Sequence, residues 1–496
     1  MNLISISYGL FLLSFLSIYW FVGREKLRLW ILLVASVVFY SSYQPQYILF
    51  LFVLIFINYR LGLEIGTIQA DSHRQRLILV RTGIAINILL LFSFKYLTPF
   101  LKFLLPDIVK NVGFDTFKLV APLGISYFTF ECIAYLVDIY RGSPATADFT
   151  KFATYKLLFT KVTSGPITRF HELANQFKTL KFPTPNVLAD ALWLIARGAV
   201  KKGLLADNIG IFVDICFSNL QRAGSTDIWL ATFAYGLQLY LDFSGYVDIA
   251  RGSAMLFGLM LPENFDSPYF STSIADFWRR WHMTLGDWLR NYLYFPLGGS
   301  RVGLGRTCVN LMVVMVVCGI WHGATLGFLV WGMMHGLALI VHRLVAKISD
   351  TILLRRRYAN EDGCQGHRTK LKQFWQNPIG IILAWFLTQL MVFTSWIWFR
   401  LPNLSDSTLA VQHMWGHSAD TQFAQLVYVD ALKISQYHLT ILLFALATCF
   451  FVGYFFKQEL KLQLNWYLKL LFVPLCFYAV WLLAPEGSLP FIYFDY

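Results

Sequence analysis

Apolar runs of about 20 residues recur from one end of this chain to the other, and they limit what it can fold into more than any other feature. A run of that length, coiled as an α-helix, matches the hydrocarbon thickness of a bilayer. Lipid offers no partners for backbone N–H and C=O groups, so only helices and closed barrels can span it. A barrel would show alternating polarity over segments of about 10 residues, and that period is absent. Composition agrees: 57% of the 496 residues are hydrophobic and 14% charged, against about 45–50% and about 25% in soluble domains. The sequence predicts an all-α, polytopic integral membrane protein with roughly 11–13 hydrophobic helices, some re-entrant or interfacial. Candidate ranges are 3–22, 28–43, 46–64, 77–96, 117–137, 187–218, 227–257, 309–330, 325–346, 379–400, 438–456 and 467–484.

The net charge of +13 does not signal nucleic acid. Lys and Arg fall in short runs between apolar segments, as cytoplasmic loops do. Gly23–Arg28, Arg60–Arg81 and Arg141–Lys161 are basic, while Tyr43–Tyr47 and Pro106–Lys118 carry little positive charge. Arg343–Lys372 and Lys457–Lys461 continue the alternation on the inner side, with Leu401–His438 external. This alternation places both termini outside. Leu3–Val22 lacks a basic n-region and a cleavage site, so it reads as a retained span. The chain reads as one integral domain: N-terminal spans over 1–116, a motif-bearing core over 117–346, and C-terminal spans with an external loop over 347–496. Within that loop, 402–437 contains His413, Trp415 and His417 and is expected to form a structured flap. The seven cysteines make no CxxC pair. They read as small apolar residues, and no disulfide framework or metal site is implied.

Charges and imidazoles inside such a chain are costly and mark functional positions. They concentrate in Asp276–His335, which holds His282, His322 and His335. Phe277, Trp281, Leu285, Trp288 and Tyr292 recur at helical spacing and predict one helix with an aromatic face over Phe277–Tyr294. Asp276 and Arg280 stand at i,i+4 and can pair. By pattern alone this helix suits an interface or a polar cavity equally well. His322, in GIWHGATLG, is either a buried neutral base or a hydrogen-bonding residue between helices. Gly319 and Gly323 beside it would leave room for a chain or thioester to approach. No HxxxH or HxxE pairing supports metal at the three histidines. His282 and Asp287 stand five apart, a spacing used by another class of acyltransferase, but the surroundings differ and the match reads as chance. Glu131, Asp242 and Asp248 interrupt other apolar runs, and Asp242 or Asp248 is expected to pair with Arg251 or Arg279.

Several segments, in order, resemble the membrane-bound O-acyltransferases, in particular their bacterial branch acting on alginate and teichoic acid. They are PLGISYFTFECIAYLVDIYRG, SGPITRF, KKGLLADN, YGLQLYLDFSGYVDIARGSAMLFG, FWRRWHMTLGDWLRNYLYFPLGG, GIWHG and the terminal PFIYFDY, spread over 122–496. The resemblance maps the family's invariant histidine to His322 and its second position to His282. It departs at Asn291 and Asp287, where the branch often has Asp and a small hydroxyl residue, and at SGPI, commonly AGPI.

The resemblance implies a bacterial cytoplasmic (inner) membrane and a funnel or tunnel through it, with a thioester donor arriving from the cytoplasm and an acceptor from outside. His322 would be the general base. His282, or Arg279 beside it, would orient the donor or stabilise the oxyanion. Trp278, Trp281 and Trp321 would wall the tunnel, and His335 would line it or serve helix packing. The expected transfer is of acetyl from acetyl-CoA or a similar thioester, with no tightly bound cofactor. The expected acceptor is an exported polysaccharide such as alginate, reached through a periplasmic acetyltransferase partner. D-alanyl transfer to teichoic acid from a carrier protein and peptidoglycan O-acetylation are the alternatives. A transporter would need paired broken helices in two halves, which the sequence does not show.

Overall fold

In a computed structural model, residues 3–69, 72–104, 120–359, 375, 377–462, 464–487 and 489–492 are described. The Pro106–Lys118 loop, much of the Arg343–Lys372 basic stretch and the last residues of PFIYFDY lie outside them. Among the described residues the regular elements are all helices, apart from one isolated antiparallel bridge. Among the described residues, seven helices are long and apolar enough to cross a membrane: Pro45–Thr67, His73–Lys95, Leu304–His322, Leu326–Ile348, Pro378–Arg400, Gln436–Gln458 and Trp466–Leu483. The remaining expected ranges also contain helices, and their departure from a simple span has a physical cause. Ile125–Tyr140 is buried along nearly its whole length, so its neighbours are protein rather than lipid. Ser225–Leu256 is 32 residues long but carries Asp227, Asp242 and Asp248, all buried. The six described cysteines are all free thiols.

The helices group into two compact units, each drawn from separated stretches of chain. The first comprises Met1–Asp207, Leu241–Glu263 and Leu464–Tyr496. Its interior holds ion clusters. Glu131 accepts from Lys161 at 2.6 Å and from Lys156 at 3.1 Å, and from the Thr168 backbone and hydroxyl. This cluster stitches the buried, non-helical segment 158–168 to the Ile125–Tyr140 helix. Irregular backbone at such depth is tolerated only inside protein or against a water-filled cavity, and the carboxylate supplies its missing partners. Asp248 pairs with Arg197 and Lys201 at 2.8 and 2.7 Å. Asp242 pairs with Lys202 at 2.6 Å, and Lys202 also holds Asp207 and the Leu489 carbonyl. The expected pairing of Asp242 or Asp248 with Arg251 or Arg279 is therefore corrected. Arg197 and Lys201 lie one helical turn apart and reach Asp248 together, whereas Arg251 is taken by Glu263 at 3.0 Å.

The second unit comprises Asn208–Tyr240 and Asn264–Gln463. Its spine is the hairpin of Leu304–His322 and Leu326–Ala359. A Cβ on Gly332 would stand 2.5 Å from the Met315 carbonyl oxygen and 3.3 Å from the Gly319 Cα. The two glycines therefore let the backbones of the hairpin meet, as small residues do between membrane helices. The 402–437 flap is ordered, with helices Leu404–His413 and Thr421–Ala424 and a π-helical turn Gln425–Ala431.

Candidate active site

The single amphipathic helix expected over Phe277–Tyr294 is two helices of seven residues, Ile274–Arg280 and Met283–Leu289, with a π-helical turn after the second. The break falls at Trp281–His282. Trp281 is extended and bridges to Phe265, and His282 takes the left-handed conformation, φ 45°. Asn264 makes the break. Its backbone carbonyl accepts from Met283 N–H, and its side-chain oxygen accepts from the Thr284 N–H at 3.1 Å and hydroxyl at 2.9 Å. Its oxygen also meets His282 Nδ1 at 3.2 Å. These bonds outweigh the continuous helix that the aromatic spacing favours. The expected i,i+4 pair holds, with Arg280 to Asp276 at 2.9 Å.

His282 is buried. An amide oxygen only accepts, so Nδ1 carries the proton in the neutral ring, and Nε2 is then the lone-pair nitrogen. Burial pushes its pKa down to about 3, which keeps the ring neutral through the physiological range. His322 ends the Leu304–His322 helix and is also buried. Its ring lies among Trp321, Phe399, Trp331 and Phe328, at centroid distances of 4.8, 4.8, 5.2 and 6.2 Å. Trp321 also lies 6.4 Å from His282. One indole thus contacts both histidines although they are 40 residues apart in sequence.

His335 is placed differently. The Trp278 indole donates to its Nδ1 at 3.3 Å, so the proton sits on Nε2, which donates to Ser395 Oγ at 2.9 Å. Ser395 passes its own proton to the Val392 carbonyl at 2.7 Å. Both ring nitrogens are engaged in a chain that ties Ile274–Arg280, Leu326–Ala359 and Pro378–Arg400 together. Trp281 is buried against Trp396 at 5.1 Å. Arg279 stands apart: its side chain is 67% exposed and pairs with Asp276 at 3.3 Å. Asp287 pairs with Arg290 at 3.1 Å on the surface, in keeping with an accidental HxxxxD spacing. The space expected beside Gly319 and Gly323 is corrected. A Cβ at Gly319 would meet the Phe328 carbonyl at 2.3 Å, and one at Gly323 the Phe328 ring at 2.5 Å. The protein's own packing fills it.

Sequence reasoning did not single out Asn264, Phe328, Trp331, Trp396 or Phe399. Trp331 had a signal, since it precedes His335 by one helical turn, and SWIWF over 395–399 is an aromatic cluster in its own right. Asn264, in an irregular segment, had none. Among the described residues no cluster of three metal-ligating side chains occurs.

The model of the membrane-bound O-acyltransferase family matches residues 10–369. Probable alginate O-acetylase AlgI of Pseudomonas aeruginosa is 36% identical over 401 residues, covering 80% of this chain and 71% of its own. The protein of that name from Pseudomonas syringae is 34% identical over 454 residues, covering 90% and 80%. The peptidoglycan O-acetyltransferase of Helicobacter pylori is 33% identical over 416 residues, covering 78% and 74%.

Proposed function

The chain belongs to the membrane-bound O-acyltransferase family and is a multi-pass membrane O-acyltransferase, and we propose that it moves acetyl from a cytoplasmic thioester donor, acetyl-CoA or a similar one, for O-acetylation of an exported polysaccharide of the alginate type. A periplasmic acetyltransferase partner completes the transfer, and the protein sits in the inner membrane with both termini outside. The observation that carries this reading is the aromatic enclosure of His322, joined through Trp321 to a neutral His282.

In the proposed reaction His322 takes the proton of the attacking hydroxyl as its oxygen adds to the thioester carbonyl. As the C–S bond breaks, the same proton passes to the departing sulfur. General-base help of this kind contributes about 10²–10⁴-fold. Of the roles expected for His282, orienting the reactants fits, because its Nε2 lone pair accepts a hydrogen bond and offers no proton to an oxyanion, while Arg279 is largely exposed and already paired. The rings of Trp321, Trp331, Phe328 and Phe399 exclude water and protect the thioester from hydrolysis. Trp278 and His335 hold the wall through their hydrogen bond.

The test is acetyl transfer from labelled acetyl-CoA in membranes carrying His322→Ala, with mass spectrometry of the surface polymer. Transfer should fall by about 10²–10⁴-fold with the protein level unchanged. Wild-type product from the variant would overturn the role of His322. Loss of alanyl rather than acetyl esters would replace acetyl by D-alanyl. The similarity to a peptidoglycan O-acetyltransferase supports peptidoglycan as the second acceptor to assay.

A further inference from the structure

The second unit contains an open cleft of about 750 Å³ that takes no part in the chemistry proposed above. It is built from the 402–437 flap, the start of the Gln436–Gln458 helix and Asp227 near the start of Ser225–Leu256. Asp227 holds these pieces together. One of its oxygens accepts from the Tyr428 hydroxyl at 2.5 Å and the Gln436 amide at 2.8 Å, and the other from the Gly224 N–H at 3.0 Å. The cleft is thus fixed at its floor by a saturated carboxylate.

Its walls offer the Thr421 hydroxyl, the Lys433 ammonium and the Gln425 amide, which also donates to Asp430 at 3.1 Å, whereas the Ser435 hydroxyl is engaged by the His438 ring at 2.7 Å and backbone N–H at 3.3 Å. Lys433 is exposed, and among the described residues no carboxylate lies within ion-pair distance of it. It also adopts φ 55°, a conformation that favours Gly or Asn over Lys. A cation kept at such a position points to a use for its charge. The volume suits a small ligand or a short polymer segment, since such sites span about 300–1,000 Å³, and is small for a protein surface. A hydroxyl, an amide and an ammonium with no ion-pair partner among the described residues together match an acidic sugar.

We propose that this cleft binds a uronate segment of the acceptor polysaccharide, with Lys433 taking a sugar carboxylate and Thr421 and Gln425 taking hydroxyls. The proposal rests on the reading of the acceptor as an exported acidic polysaccharide and of Leu401–His438 as external.

Full-length protein in nanodiscs is titrated with a short defined oligouronate and, as control, a neutral oligoglucan of equal length. The oligouronate should bind, more weakly as salt is raised, and the glucan should not. Lys433→Asn removes the charge with a residue that tolerates the left-handed turn, so unfolding cannot account for its effect. It should weaken oligouronate binding about tenfold. Absence of oligouronate binding, or binding indifferent to Lys433→Asn, overturns the proposal. So does unchanged oligouronate binding with loss of a co-purifying periplasmic protein in the variant, which would make the cleft a polypeptide site. The same titration on His322→Ala protein separates the two readings. Retained binding without acetyl transfer supports both. Loss of acetyl transfer without any oligouronate binding sinks only the cleft.

Discussion

Replacing His282 by Asn separates a structural role from a chemical one. The Asn264 side-chain oxygen has three donors, and the His282 contact at 3.2 Å is the longest. Removing it leaves that oxygen bonded to the Thr284 N–H and hydroxyl, so no acceptor is stranded. The lost hydrogen bond costs about 0.5–1.5 kcal/mol, and the smaller side chain beside Trp321 adds about 1 kcal/mol. Asn tolerates the left-handed backbone at this position, whereas Ala would add about 1 kcal/mol of strain. The expected loss for His282→Asn is about 2 kcal/mol, small enough to leave a fold of about 5–15 kcal/mol standing. If Nε2 orients a reacting group by accepting its hydrogen bond, transfer should fall by about 100-fold, far beyond the loss of folded protein. The assay pairs thermal unfolding of purified protein with acetyl transfer per folded molecule, for Asn and Ala variants together. Wild-type turnover in His282→Asn would refute a chemical role and leave His282 as a turn residue. The pH dependence provides a second reading. The folded ring stays neutral to about pH 3, while an unfolded histidine titrates near 6.5. Its contribution to stability is therefore full above about pH 6.5 and is lost as pH falls towards 3. Wild-type protein should lose thermal stability over that window more steeply than His282→Asn.

His335→Ala strands the Trp278 indole N–H inside the protein and should cost about 1–3 kcal/mol, read as a lower unfolding temperature with transfer per folded molecule largely kept. Gly332→Ala would gain about 1 kcal/mol in an isolated helix. Here its Cβ meets the Met315 carbonyl at 2.5 Å, so the yield of folded protein should fall instead. Glu131→Gln leaves Lys156 and Lys161 buried without their carboxylate and should destabilise by about 3–5 kcal/mol. Replacing all three by apolar residues of similar volume should recover much of that loss in the same unfolding assay.

The helices were legible because lipid and protein interior impose one strong rule on apolar runs, and each expected range contains a helix. Where the reading went wrong, a tertiary bond defeated a local period. The aromatic spacing over Phe277–Tyr292 favours one helix, but Asn264, more than a dozen residues upstream, offers bonds available only to a broken one. Ion partners were misassigned for a similar reason. Charge signs and distances along the chain suggest Arg251, but Asp248 is reached by Arg197 and Lys201 from a helix far away in sequence. His322 was legible as a candidate. Its enclosure was not, because Phe399 and Trp331 belong to different helices whose packing no single-helix pattern encodes.

The distribution of buried polarity fits a protein that does acyl chemistry in membrane. The first unit concentrates carboxylates and lysines in closely paired clusters, each serving to fix a chain segment. The rings gathered in the second unit bring imidazoles and indoles together, and His282 and His335 hydrogen-bond to the neutral Asn264 and Ser395 side chains. An imidazole paired with a buried carboxylate is drawn towards its charged form, in which it cannot accept a proton. Asn264 orients His282 with a neutral amide and avoids that outcome. His335 is likewise oriented by neutral partners, Trp278 and Ser395. Substituting Asn264 by Asp would therefore do more than alter a turn. The new carboxylate would stabilise the imidazolium of His282 and raise its pKa from about 3. Transfer should then begin to fall at a higher pH on the acid side than in the wild type, while the Thr284 bonds to the retained oxygen preserve the break between the two short helices. A pH profile unchanged by Asn264→Asp would show that the protonation state of His282 does not govern the reaction.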